Sequence, residues 1–392
     1  MQASRCLLWK VSGGSVSESV GTTGWGPVVS TKPGYVQQSR WGDVMSGVNQ
    51  GRMRSLASSV SERDPASGHE IELALDRCFA RIRVQVGGRV GVGKSSVRAV
   101  LTSSTVPAFT DVEITETAAM DVPSAPDPDL DGDVVVYVLT SGAQKADVDA
   151  VASASHVVPV LAKADTVDDL AGVLDRLTSA VGIEVLPLMG TIARTVSEGE
   201  PKSFDMLRRA APHLSSDMML TRERFLRADI SPASVSDEVP TAAERDVLVE
   251  HIEILGVRTV AEALQSDPTM DDVRIRLLLL GVSGAARFTD TVRRSVERVR
   301  VERQARLLHR LTELAAEHPT SAEELETFLT SDEAVLAIMR SALDALGETV
   351  EPGDKVEAAA LWLARAQSTG DPNYSRAARA ISRGYLRMRV HS

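Results

Sequence analysis

Cysteine and aromatic residues are scarce in this chain, and long apolar runs are missing. Its 392 residues include two cysteines, Cys6 and Cys78, and only 4% aromatic side chains. Two cysteines do not build a disulfide framework, so a reducing cytoplasm is the expected location. No apolar run approaches the ~20 residues of a membrane span, so any membrane contact is expected to be peripheral, at the inner face. The apolar patch at residues 6–9 is also shorter than the core of a secretory signal.

Basic residues are fewer than acidic residues in this chain. The chain has 43 Lys and Arg against 54 Asp and Glu, which gives a net charge of -11. A protein that binds nucleic acid needs a basic surface to neutralise phosphates, so the composition argues against nucleic acid as a partner. The length suffices for two domains, or for one domain with a large appendage.

One segment carries a specific motif. Residues 88–95 read G-R-V-G-V-G-K-S, which satisfies the phosphate-binding pattern G-x-x-x-x-G-K-[ST]. A strand-like alternation precedes it and a helix-like stretch follows, which is the context that the motif requires and that an incidental glycine-rich turn lacks. Lys94 is expected to reach the β- and γ-phosphates, and the Ser95 hydroxyl to ligate Mg²⁺. The predicted nucleotide contacts in this segment are Gly88, Arg89, Val90, Gly91, Val92, Gly93, Lys94, Ser95 and Ser96.

A second motif indicates the base. Residues 162–165 read A-K-A-D and follow an apolar strand pattern. In GTPases N/T-K-x-D at a strand end binds guanine: the Asp165 carboxylate accepts from the N1–H and the amine, and the Lys163 stem lies over the ring. Ala162 stands where Asn is usual, which predicts weaker affinity without loss of selectivity; a chance K-x-D in a loop is the alternative.

Two further segments complete the predicted base and metal sites. Met189 and Gly190 end the last strand pattern, where a short loop is expected to contact guanine through its backbone. Thr110 is the preferred threonine for covering Mg²⁺ and the γ-phosphate, with Thr115 and Thr117 as alternatives.

The predicted catalytic aspartate has two candidates. Residues 121–124 read D-V-P-S, similar to the D-x-P-G of GTPases with Ser124 in place of Gly, and Asp121 is expected to hold Mg²⁺ through a water. Residues 129–132 formally satisfy D-x-x-G, but they precede a strand pattern inside a loop rich in Pro and Asp. Asp121 is therefore preferred. Lys94, Thr110 and Asp121 are the predicted catalytic residues.

The chain divides into three regions by pattern. Residues 1–68 show no sustained period and predict a disordered tail, or alternatively lie upstream of a start at Met45 or Met53. Residues 69–200 predict an α/β nucleotide-binding domain, a mostly parallel sheet in a three-layer αβα arrangement. Its strands are expected at 84–86, 133–139, 157–161 and 184–188. Residues 201–392 predict an all-α helical bundle. Its helices are expected at 241–254, 257–265, 271–280, 288–316, 322–329, 333–346, 355–367 and 374–389.

The helix at 288–316 is rich in arginine. Those arginines predict either a surface for anionic lipid or an acidic partner, or the solvated side of a bundle helix. Glu297 and Glu302 on the same helix favour the solvated side. The arginines are Arg293, Arg294, Arg298, Arg300, Arg303, Arg306 and Arg310.

Residues 86–96, 121–124, 162–165 and 186–190 together resemble the GTPase domain of bacterial dynamin-like proteins, with the isoniazid-inducible branch closest. Two glycine-containing turns, at 254–257 and 280–284, and the arginine-rich helix are similar to that family's helical stalk. The resemblance implies binding of GTP and GDP with Mg²⁺ and GTP-driven assembly with itself or with a dynamin-like partner subunit. It also implies membrane remodelling through the helices.

Two functions stay open at this point. The first is a slow Mg²⁺-dependent GTPase that acts through its helical region on a partner or a membrane surface. The second is a pseudo-GTPase, a scaffold subunit that binds nucleotide without hydrolysis and pairs with an active partner. Ala162, Ser124 and the short stretch between Lys94 and Asp121 favour the second, whereas the intact phosphate-loop motif and Asp121 favour the first.

Overall fold

The computed structural model describes residues 48–103, 109, 112–120, 122, 126–167, 169–198, 201–228, 239–351 and 353–390. Residues Met45–Ser392 belong to one compact unit. The five strands are β1 (Ile82–Gly88), β2 (Val112–Glu116), β3 (Val134–Leu139), β4 (Val157–Ala162) and β5 (Leu186–Leu188).

The α-helices of the described residues fall into two sets, before and after the end of the sheet. The first set is α1 (Gln50–Arg63), α2 (Pro65–Phe79), α3 (Lys94–Thr102), α4 (Lys145–Ser153) and α5 (Leu170–Val181). The second set is α6 (Gly190–Glu198), α7 (Pro201–Ala210), α8 (Arg222–Arg227), α9 (Ala242–Ser266), α10 (Asp272–Val282), α11 (Ala285–Glu317), α12 (Pro319–Leu329), α13 (Asp332–Leu346), α14 (Lys355–Ser368) and α15 (Pro372–Val390).

The sheet is parallel throughout, with the order β2-β1-β3-β4-β5. Four of its strands were predicted because their Val- and Leu-rich runs suit a sheet covered on both faces. β2 was not predicted; it lies at the edge, and its residues are exposed or half-buried. The strand order reverses between β1 and β3, the position at which open α/β sheets bind ligands beyond the carboxyl ends of their strands.

Helices cover both faces of this sheet. Alternate residues of β3 point to opposite sides: Val136 and Val138 belong to one core, and Tyr137 and Leu139 to the other. The second core is closed by α4 and α5. The first is closed by α3, α6 and the N-terminal half of α11. The predicted parallel sheet with flanking helices is therefore confirmed.

The long helix α11 connects two cores. Its 33 residues span about 50 Å at 1.5 Å per residue. Phe288 and Val292 pack against the sheet, whereas Leu307 and Leu311 pack with α1, α2 and α12. The predicted boundary at residue 200 marks the end of the strands, since no described residue after Leu188 is in a strand, but the packing does not divide there.

The predicted disordered tail is wrong for residues 50–68. Helix α1 begins after Asn49, whose side chain accepts from the Arg52 N–H, and it buries Met53, Ala57 and Val60. The helical pattern is weak here, because α1 is rich in Ser and Arg and buries mostly small side chains. Residues 1–47 lie outside the described residues.

A further core lies beyond the sheet, where α6 to α10 pack together. Phe204 and Phe225 are fully buried in it. Helix α15 packs on α13 and α14, with Trp362 and Tyr385 buried. Across the described residues, no helix combines the length and apolar character needed to cross a membrane.

Candidate nucleotide site

The phosphate-loop segment follows β1 and leads directly into α3. Gly88, Gly91 and Gly93 have φ values of 144°, 71° and 100°, a region that side-chain-bearing residues rarely adopt. A Cβ on Gly88 would lie 2.6 Å from the Val138 carbonyl oxygen. Gly93 is the N-cap of α3, and no side chain caps that helix end, so its first N–H groups are left for another acceptor.

Lys94 is buried within the loop. Its side chain folds back so that Nζ donates to the carbonyl oxygens of Gly88 at 3.1 Å and Arg89 at 3.0 Å. The residue is only 8% exposed. A buried ammonium ion requires such partners, since desolvation without them is costly. The arrangement holds a positive charge at the centre of the loop, where a phosphate is the natural counter-ion.

The K-x-D segment meets the phosphate loop. Lys163 follows β4 in a left-handed conformation, with φ 55° and ψ 39°, and its Nζ donates to the Gly91 carbonyl oxygen at 3.3 Å. Ala162 has no side-chain amide that could bond the phosphate loop, and the Lys163 ammonium makes such a bond instead. Asp165 is half-buried in the short turn that follows.

Met189 and Gly190 lie at the same edge. A Cβ on Gly190 would lie 3.0 Å from the Ser96 Cβ, so the start of α6 abuts the first turn of α3. The Met189 N–H donates to the Ser283 carbonyl oxygen at 2.9 Å. That amide is therefore used within the protein and is not free for the predicted base contact.

The side chain of Arg89 points away from the phosphate loop. Its guanidinium donates to Asp147 Oδ1 at 3.1 Å, Thr140 Oγ1 at 3.2 Å and the Gly142 carbonyl oxygen at 3.2 Å. Asp147 is fully buried and also accepts from the Tyr137 hydroxyl at 2.8 Å. Burial, followed by this bond to Asp147, raises the pKa of Tyr137. The predicted nucleotide contact of Arg89 is thus limited to its backbone.

The remaining loop residues differ in role. Val92 is buried in the core against the sheet, whereas Val90 is 67% exposed. Their side chains serve packing or face solvent, so any phosphate contact from them is also through the backbone.

The predicted magnesium residues are only partly described. The Ser95 hydroxyl donates to Glu116 Oε1 at 3.0 Å. Thr110 and Asp121 lie outside the described residues; Met120, directly before Asp121, forms a parallel bridge with Arg89. Of the alternative threonines, Thr115 is exposed on β2 and the Thr117 hydroxyl donates to the Ala118 carbonyl oxygen.

The alternative D-x-x-G segment contacts a different part of β1. The Asp129 carbonyl accepts from Gln85, and Asp131 forms a salt bridge with Arg83 at 3.1 Å. These partners precede the phosphate loop in the sequence. No group of three His, Cys, Asp or Glu suited to a metal occurs among the described residues. Nucleotide-bound Mg²⁺ commonly takes one or two carboxylates plus phosphates, so such a cluster is not required.

Sequence reasoning missed two residues at this site. Glu116 was missed because β2 was missed. Glu253 in α9 has φ 55° and ψ 165°, which breaks the helix one residue before the end of the predicted 241–254 segment. Burial and then the charge of Asp165 raise the pKa of its carboxyl. Thr195 of α6 donates to the His251 carbonyl oxygen at 2.6 Å beside this break, so α9 packs on α6 there.

The arginines of α11 form ion pairs within the chain. Arg300 pairs with Glu297, and Arg306 with Glu302 at 3.3 Å. Arg303 bonds Asp133 at 2.7 Å and so ties the helix to the start of β3.

No protein-family model matches the chain, and no curated protein matches it in sequence.

Proposed function

We propose that this chain binds guanine nucleotides at the phosphate-loop segment and hydrolyses GTP slowly with Mg²⁺. The observation that carries the proposal is the meeting of two motifs 72 residues apart, where Lys163 Nζ donates to the Gly91 carbonyl oxygen. A phosphate loop alone does not select a base, and a K-x-D segment alone is weak. Their contact supports a single site in which Asp165 would recognise the base and the glycine-rich loop would hold the phosphates.

The roles of the residues follow from their chemistry. The open N–H groups at the start of α3 and the Lys94 ammonium suit phosphate oxygens. Asp165 suits the adjacent N1–H and amine donors of guanine, and Lys163 suits the face of the ring. Ser95 suits Mg²⁺, which would neutralise charge on the phosphates.

Nucleotide titration of the purified chain tests this proposal. We expect GTP and GDP to bind and ATP to compete poorly. Lys94→Ala is expected to abolish binding, whereas Lys145→Ala, at the exposed start of α4, leaves it unchanged. Tight ATP binding without a response to GTP would instead indicate an ATPase or a kinase.

Base selectivity has its own test. Asp165→Asn is expected to weaken guanine nucleotide binding about a hundredfold, because two hydrogen bonds to a charged acceptor are lost. Binding of xanthine nucleotides should improve. Asp175→Asn, on the exposed side of α5, is the matched control. Equal preference for guanine in both variants would remove Asp165 from the base site.

A scaffold subunit without hydrolysis is the second candidate. It is favoured by Arg89, whose guanidinium is engaged by Asp147 rather than directed at the loop, and by the substitutions at Ala162 and Ser124. Phosphate release measured over a range of protein concentration, with and without liposomes, separates the candidates. Release that rises with concentration supports a self-assembling GTPase, and flat release beside GTP binding supports the scaffold.

Dynamin-like assembly and membrane action rest on the sequence resemblance alone. In this function the helical region contacts a partner subunit or a peripheral membrane surface. The packing of α11 on the sheet and of α9 on α6 supports coupling between nucleotide and helices, since both helices touch the nucleotide-binding half of the molecule.

A further inference from the structure

Glu116 is the last residue of β2 and lies beside the first turn of α3. Strands β1 and β2 pair in parallel, with Glu116 opposite Val86. The carboxyl ends of both strands therefore meet at the edge where the phosphate loop begins. This register brings Glu116 Oε1 within 3.0 Å of the Ser95 hydroxyl oxygen.

The Glu116 carboxylate has spare capacity for a cation. It is exposed, and among the described residues it forms no salt bridge. The hydrogen from Ser95 occupies one lone pair of a group that offers about four. An exposed carboxylate without a salt bridge adds negative charge beside the proposed phosphate site. That charge repels phosphates unless a cation lies between them.

The distance between the two oxygens suits magnesium. Mg²⁺ prefers octahedral oxygen ligands at about 2.1 Å, so two neighbouring ligands are about 3.0 Å apart. The Ser95 and Glu116 oxygens already have that separation. A neutral hydroxyl with one carboxylate, completed by phosphates and waters, is the ligand set that Mg²⁺ commonly takes at nucleotide sites.

We propose that Glu116 is the protein's anionic ligand for Mg²⁺ at this site, in the role that the sequence motif suggested for Asp121. The inference rests on the proposed nucleotide binding. It also accounts for the departure of residues 121–124 from the D-x-P-G pattern, because a site with its own carboxylate on β2 depends less on that segment.

Metal-dependent nucleotide affinity tests the assignment. Binding of a fluorescent GDP analogue is measured with Mg²⁺ and with a chelator, for the wild-type chain and for Glu116→Gln, Asp121→Asn and Glu113→Gln. Glu113 is exposed on the same strand but three residues away, on the other side of the pleat, which makes it the matched control. Mn²⁺ affinity of the GDP complex, measured by electron paramagnetic resonance, gives a direct metal readout.

We expect Mg²⁺ to tighten wild-type binding and Glu116→Gln to lose roughly tenfold or more of that gain and of the Mn²⁺ affinity. The affinity of Glu116→Gln for the GDP analogue in the presence of chelator should not fall. Glu113→Gln should match the wild type. The proposal is overturned if Glu116→Gln keeps the full metal effect while Asp121→Asn loses it, or if Glu116→Gln strengthens the metal effect by freeing Ser95. Wild-type nucleotide binding without metal dependence overturns only this proposal, whereas a lack of nucleotide binding in any condition overturns the proposed function as well.

Discussion

At the scale of single residues, the phosphate loop is held by a buried ion pair. Arg89 and Asp147 have side chains that are 17% and 1% exposed, respectively. Asp147 also accepts from the Tyr137 hydroxyl and from the Gln144 N–H, which caps α4. One carboxylate thus joins the loop, the strand β3 and the start of α4, and it fixes the position of the loop backbone without touching a ligand.

Asp147→Asn should therefore destabilise the protein markedly. The substitution leaves the Arg89 guanidinium without its buried counter-charge, which costs about 3 kcal/mol. Asp149→Asn, on the exposed side of the same helix, should change stability by no more than about 0.5 kcal/mol. Urea unfolding followed by circular dichroism compares the two. Equal midpoints would show that Arg89 has another adequate acceptor.

At the scale of elements, helix α9 carries a local strain at Glu253. Its φ of 55° and ψ of 165° are unfavourable for a residue with a side chain, at a cost of about 1–3 kcal/mol. Glu253→Gly should stabilise the protein by about 1 kcal/mol, because glycine adopts this conformation readily. Glu262→Gly, exposed in a regular part of the same helix, should destabilise it by about 1 kcal/mol. Thermal unfolding measures the change in stability for both variants. A stability change of the same sign in the two variants would contradict the strain at Glu253.

The charge of Glu253 adds a pH dependence. Its folded pKa is raised above the ordinary 4.5, first by burial and then by Asp165. The stability that this carboxyl contributes is fully present below its unfolded pKa and is lost as pH rises through the folded pKa. Glu253→Gln lacks this loss, so it should gain in melting temperature over the wild type from acidic to neutral pH. If the melting temperatures of the variant and the wild type ran parallel over this pH range, the Glu253 carboxyl would titrate normally.

Among the elements, the buried strands and the phosphate loop could be predicted from the sequence, whereas the edge strand could not. Strands β3 and β4 were predictable because buried parallel strands are continuous apolar runs, and Gly88 to Ser95 were predictable because few residues satisfy their backbone geometry. β2 was not, since an edge strand with exposed Glu and Thr resembles a loop. The Ser95–Glu116 contact depends on strand register, which no local pattern encodes.

At the scale of the whole molecule, α11 makes the sheet depend on the C-terminal half of the chain. The end of strand patterns near residue 200 suggested a boundary, but Phe288, Val292, Val296 and Val299 of α11 are buried against the sheet. Fully burying a side chain of this kind contributes about 1.5–3 kcal/mol, so four contribute roughly 6–12 kcal/mol. That range is comparable to the whole stability of a typical domain, about 5–15 kcal/mol.

A fragment of residues 69–200 should therefore fail to fold, although it contains every strand that the structure describes and every predicted nucleotide-site residue. Without α11, Val84, Val136 and Val160 would lose part of their cover on one face of the sheet. We expect the fragment to show no cooperative thermal transition and no binding of GDP, whereas residues 45–392 show both. A chain of residues 45–317, which retains α11, is the control and should recover a cooperative transition, because the sheet core is then complete. Cooperative unfolding of the 69–200 fragment would show instead that the α/β region is an independent domain and that α11 merely rests on it.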